Sequence, residues 1–467
     1  MYISRLALDH FRSWEACVLD FDRGINILQG RNGLGKTNIV ESIEVLATGS
    51  SQRTTSALPL IERGSTTAVV RANVVQDRSK VGQQEPDREQ SQENAVPKML
   101  EMSIHARGAN RMRVDSGPSH MMRDALGLVS CVSFSPQDQH LVTEDPAARR
   151  MFLNQSGTQL DAHYDNVLQR TRHIAQQRVA LLKQLGHKGQ QSGLDAGLQP
   201  SMAASWAAST HEYGADPADP GFSPTQGSSA NAAALSGLEV WTGQFIEAGV
   251  ELTRSRTRIV ERLNEHFSEI YRQLSDNRGE ARLMYRPSFA EVIDYEQPFD
   301  AISAHFQRIF QGELARGFNL IGPQRDDLEF ILDDVPAREY ASNGEQWTLA
   351  IALKMSLHQA LIDENADVPI IVLDDVFAQL DENRRSQIIR FAERQRQVLI
   401  TVAAASDIPE LSGANIIDVE ALHDMSGFGD CPSASLPRSS DDDEERQKEP
   451  NDVKDASSAL HQGGDDS

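Results

Sequence analysis

Gly30-Arg31-Asn32-Gly33-Leu34-Gly35-Lys36-Thr37 is a complete G-x-x-x-x-G-K-[ST] match, and its reading decides the fold. The apolar run Ile25-Asn26-Ile27-Leu28 before it reads as a strand, and Asn38-Ile39-Val40-Glu41-Ser42-Ile43-Glu44 after it reads as a helix. That is the setting a phosphate-binding loop needs. Glycines let backbone N–H groups close around phosphates, and the helix N-terminus adds partial positive charge. Lys36 is expected to reach the β/γ-phosphates and the Thr37 hydroxyl to ligate Mg²⁺. A chance Gly-rich turn would not carry these flanks.

The partner motif lies far downstream, where the apolar strand Ile370-Ile371-Val372-Leu373 ends in Asp374-Asp375. Asp374 is expected to hold Mg²⁺ together with Thr37, and Asp375 to orient the attacking water. The separation of more than 300 residues disfavours small GTPases and kinases and favours a split ATPase head with a large insertion. Ser342-Asn343-Gly344-Glu345-Gln346 opens an apolar helix some 30 residues before the aspartates. It resembles the signature loop of ABC-type ATPases, whose Ser hydroxyl, Gly backbone and helix N-terminus contact the γ-phosphate held by an opposite subunit. Read alone, the same residues make an N-cap with a turn glycine.

Working outward, Val368-Pro369-Ile370-Ile371-Val372-Leu373 and Val398-Leu399-Ile400-Thr401-Val402 are near-continuous apolar runs of the kind buried in parallel sheets. The expected fold is α/β, an ABC-type P-loop ATPase head with an inserted helical lid domain. Residues 1–146 form the N-terminal half of the head, with a polar insertion at about 74–97. Residues 147–290 form the lid, with a low-complexity insertion at about 186–234. Residues 291–423 form the C-terminal half of the head, and 424–467 an acidic tail that buries too little apolar surface to order itself. Within the lid, Leu160, Val167, Ile174, Val179 and Leu182 recur near helical spacing over 147–185. Leu252, Ile259, Leu263, Phe267, Ile270 and Leu274 do so over 238–274. An antiparallel helical hairpin follows.

The 45 basic and 68 acidic residues give a net charge of −23, which excludes a generally basic nucleic-acid coat. The tail alone carries 12 acidic and 4 basic residues. Three dispersed cysteines argue against a disulfide framework or a cysteine zinc site. No run approaches the length of a membrane span, and the N-terminus lacks the shape of a signal peptide. The expectation is a soluble cytoplasmic protein.

Together these motifs resemble the RecF family of bacterial recombination-repair ATPases, relatives of SMC proteins. The carrying segments are Asp9-His10-Phe11-Arg12-Ser13-Trp14, the loop from Gly30 through Asn38, Gly49-Ser50-Ser51-Gln52-Arg53-Thr54 and Phe134-Ser135-Pro136-Gln137-Asp138. Pro146-Ala147-Ala148-Arg149-Arg150-Met151-Phe152-Leu153, Gly322-Pro323-Gln324-Arg325-Asp326-Asp327-Leu328 and Leu373-Asp374-Asp375-Val376 continue the match. The resemblance implies ATP and Mg²⁺ as cofactors, an ATP-dependent homodimer, and slow DNA-stimulated hydrolysis that times release. It implies binding to single-stranded, gapped and duplex DNA, and action with RecR and RecO to help RecA load at gaps, in connection with the SOS response and the nucleoid. Gln137 is the residue expected to sense Mg²⁺ between head and lid. Gln52 and Gln324 stand where the family often shows His, Trp347 where Arg is usual after Gln346, and Ala378-Gln379 where Ser-Glu is usual.

DNA contacts must be local. Residues 98–183 carry 11 basic and 8 acidic residues, a positive island in an acidic chain. Arg107, Arg111 and Arg113 fall in an apparent hairpin, Arg149 and Arg150 open the lid, and Arg254, Arg258 and Arg262 share one helical face. A chromosome organiser with long coiled-coil arms is disfavoured, because helical segments of a few dozen residues are too short for such arms. A transporter's nucleotide-binding subunit is disfavoured by the Phe11-Arg12 start, the large lid and an Asp, not Glu, at position 375.

Overall fold

The computed structural model describes residues 1–54, 56–76, 97–122, 126–192, 226–365, 367–377, 380–404, 411 and 413–426. At its centre is a five-stranded parallel sheet, in the order Asn415–Asp418, Gly24–Gln29, Gln397–Val402, Ile370–Asp374, Cys131–Phe134. The strand Gln397–Val402 thus separates the strand that feeds the phosphate loop from the one ending in Asp374. Alternate residues of these apolar runs face opposite ways. Ile27, Ile371, Leu373, Val398 and Ile400 enter one core, while Leu28, Ile370, Val372 and Leu399 enter another. Burial on both faces explains why the runs are continuous rather than alternating.

The second core lies between this sheet and a six-stranded antiparallel one, in the order Trp14–Asp20, Tyr2–Phe11, Thr67–Val75, Lys98–His105, Arg111–Val114, His120–Met121. Here burial alternates along most of each strand, because one face packs and the other is more open to solvent. Thr67–Val75 and Lys98–His105 pair antiparallel from Thr67↔His105 to Val74↔Lys98. The polar insertion between them lies, from 77 to 96, outside the described residues. The phosphate-loop helix Lys36–Thr48 fills the gap between the sheets through Ile39, Val40, Ile43 and Leu46.

On the other side of the parallel sheet lie helix Asn343–Asn365, helix Pro146–Leu160 and the C-terminal part of the long helix Gln226–Leu274. Farther out, Tyr164–Ser192 packs along Gln226–Leu274, and Phe299–Arg316 lies against both. Phe245, Phe289, Ile302, Phe306 and Ile321 form a separate core there, so by packing the helical layer runs on to Ile321, beyond residue 290. A three-stranded sheet, Val335–Pro336, Asp327–Leu332, Ala281–Arg286, joins this layer to the head.

Two features of the lid differ from the periodicity. The helix expected over 147–185 is broken at Asp161, whose N–H closes on the Gly157 carbonyl at 2.9 Å while its side chain accepts from His163 N–H at 2.9 Å. A short polar side chain that caps one helix end also starts the next. The stretch 186–234, expected as linker throughout, is helical to Ser192 and again from Gln226. Its alanine-rich end has the strongest helix propensity available, and Ala234 and Leu238 bury against Leu182 and Leu185. Residues 193–225, and the tail from 427 on, lie outside the described residues.

A buried polar joint ties the long helix to the loop before Asp327. Arg256 donates to Asp326 Oδ2 at 2.7 Å, to the Pro323 carbonyl at 2.6 Å and to Asn154 at 3.0 Å, and the Tyr285 hydroxyl closes on the same carboxylate. Both members of the pair are 3% exposed or less. Arg256→Ala strands the carboxylate in the interior, a cost of about 3–5 kcal/mol. The expected result is a large fall in the urea midpoint, against no change for Arg282→Ala, which removes an exposed pair with Asp334. Equal midpoints for the two variants would contradict the assignment.

Candidate active site

Gly35 is the pivot of the phosphate loop. It sits in the left-handed region at φ 81° as the N-cap of Lys36–Thr48, and a Cβ there would lie 2.6 Å from Ser13 Oγ and 2.8 Å from Trp14 Nε1. Only glycine meets both demands. With no capping side chain, the first N–H groups of the helix remain available to an anion. Lys36 Nζ donates to the Gly30 and Arg31 carbonyls at 2.5 and 2.9 Å, and burial draws its ammonium below its usual range against the pull of Asp375 and Asp374. Arg31, Asn32 and Gly33 are exposed at the loop's crest, with Arg31 paired to Glu420 at 2.7 Å. Asn38 is engaged from both sides, donating to Ser13 Oγ at 2.9 Å and accepting from Arg53 at 3.1 Å.

Thr37 Oγ1 donates to Asp374 Oδ1 at 3.0 Å, across 337 residues of chain. Thr401, on the intervening strand, donates to the same oxygen at 2.7 Å and accepts from Asp375 N–H at 3.0 Å. Burial raises the Asp374 carboxyl above its usual range, and the two hydroxyls and Arg53 oppose this. Asp375 holds φ 54°, uncommon for a residue with a Cβ, which places its side chain beyond the strand end. Thr401 was not singled out in the sequence, although a lone hydroxyl in the run Val398-Leu399-Ile400-Thr401-Val402 was a usable signal.

These groups border a cleft of about 230 Å³ lined by Thr37, Glu41, Arg53, Gln137, Asp374 and Asp375 among others. The structure therefore brings Thr37, Asp374, Asp375 and Gln137 to one cavity at the C-terminal ends of the parallel strands, where α/β sheets bind ligands. Gln137 is exposed in the short turn Pro136–Gln139. Below the cleft is a buried polar cluster not foreseen from the sequence. Glu41 accepts from Arg12 at 3.0 Å, from Arg53 at 3.0 Å and from Ser51 at 2.5 Å. Lys354, 2% exposed, pairs with Asp138 at 3.1 Å and faces Gln52 at 3.4 Å.

Ser342, Gly344 and Gln346 do not line this cleft. Ser342 caps helix Asn343–Asn365 locally, its N–H and hydroxyl donating to Glu345 at 2.8 and 2.7 Å. Gln346 accepts from Gln139 at 3.0 Å, which links this loop to the turn that carries Gln137. Trp347 is buried in the core beneath the helix at 7% exposure, and Ala378-Gln379 lie outside the described residues. Among the DNA candidates, Arg149 is buried and does not face DNA. It is 3% exposed and bidentate to Asp327 at 2.6 and 3.0 Å, so it holds the fold. Arg150 donates to the Asp326 carbonyl at 3.0 Å and Arg262 pairs with Glu364 at 2.9 Å, while Arg107 and Arg111 stay exposed.

Hard oxygen donors from one threonine and one aspartate suit Mg²⁺, which takes few protein ligands and completes its shell with phosphates and water. Among the described residues no group of three or more His, Cys, Asp or Glu side chains could hold a metal unaided. None of the described helices is long and apolar enough to cross a membrane.

The chain is similar to known proteins along most of its length. The family described as RecF/RecN/SMC N terminal domain matches residues 2–420. The "DNA replication and repair protein RecF" of Bifidobacterium adolescentis is 53% identical over 436 residues, covering 93% of this chain and 95% of its own. The protein of the same name from Bifidobacterium longum subsp. infantis is 50% identical over 422 residues, 90% of each chain. A solved structure described as "Structure of the recombination mediator protein RecF-ATPrS in RecFOR pathway" superposes with a TM-score of 0.69 at 22% identity, covering 90% of this chain and 96% of that one.

The buried cluster makes the stability of the fold depend on pH. Burial pushes the Glu44 carboxyl up to about 7 from an ordinary 4.5, against the pull of Lys354, Gln155 and the Gln52 N–H. Between those values the folded protein keeps a proton that the unfolded chain has released, so stability falls as pH rises through that window. Glu44→Gln removes the effect. The expected result is that the variant gains on the wild type by roughly 3 kcal/mol between pH 5 and pH 8 in urea unfolding. A difference that does not change with pH would contradict it.

Proposed function

We propose, on the premise that the chain belongs to the RecF family of DNA replication and repair proteins, that it is an ATP-dependent DNA-binding protein whose ATPase cycle times its stay at gaps. The observation that carries this reading is the Thr37–Asp374 hydrogen bond, which closes a phosphate loop onto a second motif 337 residues away.

In this reading Gly30 through Asn38 cradle the triphosphate, with the N–H groups at the start of Lys36–Thr48 on its oxygens and Lys36 moving from loop carbonyls to the β/γ-phosphates. Mg²⁺, held by Thr37 Oγ1 and Asp374, neutralises phosphate charge when bound. Asp375 orients the attacking water from its place beyond the strand end, and Gln137 lines the same cleft. The water oxygen bonds to the γ-phosphorus as the bond to the β–γ bridging oxygen breaks, leaving ADP and phosphate. Ser342, Gly344 and Gln346 serve the nucleotide of a second copy, which supports an ATP-dependent homodimer. That these three residues do not line the chain's own cleft supports this role. DNA is engaged through phosphate contacts at exposed arginines such as Arg107 and Arg111, at single-stranded, gapped and duplex regions, without reading sequence. RecR, RecO and RecA are the partners of the pathway, and the cytoplasmic nucleoid its setting.

The test is binding of the purified protein to gapped duplex DNA with and without ATP, beside Asp375→Asn. ATP-dependent binding with a lifetime at least about tenfold longer in the variant is expected, because hydrolysis sets release. Binding that ignores ATP, or no binding in any nucleotide state, overturns the reading. Lys36→Ala should also abolish the ATP-dependent dimer in sedimentation.

A further inference from the structure

Against the phosphate loop packs a pair of aromatic rings that do not line the cleft and that the nucleotide chemistry above does not use. Trp14 is 1% exposed, and its Nε1–H donates to the Gly35 carbonyl at 3.1 Å, an oxygen that also accepts the first helical bond from Ile39. The His423 ring stacks on the indole with centroids 4.0 Å apart and planes 18° from parallel. His423 Nε2 lies 2.8 Å from the Leu34 carbonyl. A carbonyl only accepts, so Nε2 carries the hydrogen in this contact.

Two stacked rings in a core could place their donors on any nearby acceptor. Here they land on two consecutive carbonyls of the phosphate loop. In a trans peptide the C=O of one residue and the N–H of the next point in opposite directions. Pinning the Leu34 and Gly35 oxygens toward the rings therefore turns the Gly35 and Lys36 N–H groups the other way. The helix that carries His423, Val419–Ser426, follows the loop residue by residue. Val419 is fully buried beside Gly30, Glu420 pairs with Arg31 at 2.7 Å, and His423 reaches Leu34.

We infer that Trp14 and His423 form a brace that presets the phosphate loop for ATP, with His423 a positioning residue that acts through the Leu34 carbonyl. This rests on the nucleotide reading above. The brace makes the last helix of the head part of the nucleotide site without touching nucleotide. Without the imidazole N–H, the Leu34–Gly35 peptide is free to rotate, and part of the ATP binding energy goes into ordering it.

The deciding experiment compares His423→Gln with His423→Phe. Both fill the site, and only Gln keeps a side-chain N–H for the Leu34 oxygen. ATP affinity with Mg²⁺ is measured by equilibrium binding to the full chain, beside the thermal midpoint. The expected result is about tenfold weaker binding for His423→Phe, the effect of one lost hydrogen bond, and recovery to within about threefold for His423→Gln, at similar midpoints. Trp14→Phe, which keeps a ring and loses the donor to Gly35, should weaken binding in the same direction. Wild-type affinity in His423→Phe, or equal losses in Phe and Gln, overturns the brace while leaving the nucleotide reading intact. A wild-type protein that binds no ATP overturns both.

Discussion

One hydrogen-bonded node, Thr37 and Thr401 on a single oxygen of Asp374, organises the molecule. It requires strands Gly24–Gln29 and Ile370–Asp374 to end within one residue of each other on either side of Gln397–Val402. Those strands come from opposite ends of the chain, and the lid and helix Asn343–Asn365 lie in the connection between them. Apolar burial on both faces of the sheet holds the strands in register. The node then converts register into chemistry, since a slip of one residue would turn Asp374 into the core. Asp375 adds to this, because its left-handed backbone is sustained by the N–H bond to Thr401.

Around the node, buried polar groups join elements that the apolar cores leave independent. Lys354, from the signature helix, meets Asp138 beside Gln137 and leans on Phe152 of helix Pro146–Leu160. Arg256 and Asp326 do the same for the lid and the loop before Asp327. Such pairs add little net stability relative to apolar packing, yet losing one partner is costly, so they fix relative positions more than they strengthen the whole. Helix Lys36–Thr48, the turn Pro136–Gln139 and helix Asn343–Asn365 each contribute a charged side chain to one buried cluster.

The sequence made the head legible because its signals are local. Gly30 through Thr37 has a fixed spacing, and the doubly buried strands are continuous apolar runs. Asp374 could be paired with Thr37 because each motif has one defined chemistry. The lid was legible in outline only. Helical period placed Leu252, Ile259, Leu263 and Phe267 in the core, where they are. It missed the break at Asp161 and the helix through Ala234, where a single cap and weak alanine packing decide. The unforeseen site residues, Thr401, Glu41, Lys354 and His423, carry no motif. Their roles arise from contacts between distant segments, which no spacing rule encodes. Arg149 shows the converse: a surface-like arginine at a helix start is consumed by Asp327 in the interior.

The most direct test of this account is ATP binding by wild type and Thr37→Val, each with Mg²⁺ and with EDTA. Valine keeps the shape of the side chain and removes the oxygen shared between Asp374 and the expected metal. The expected result is that Mg²⁺ tightens ATP binding by the wild type at least about tenfold and has little effect on Thr37→Val. Equal Mg²⁺ dependence in the two proteins would contradict it.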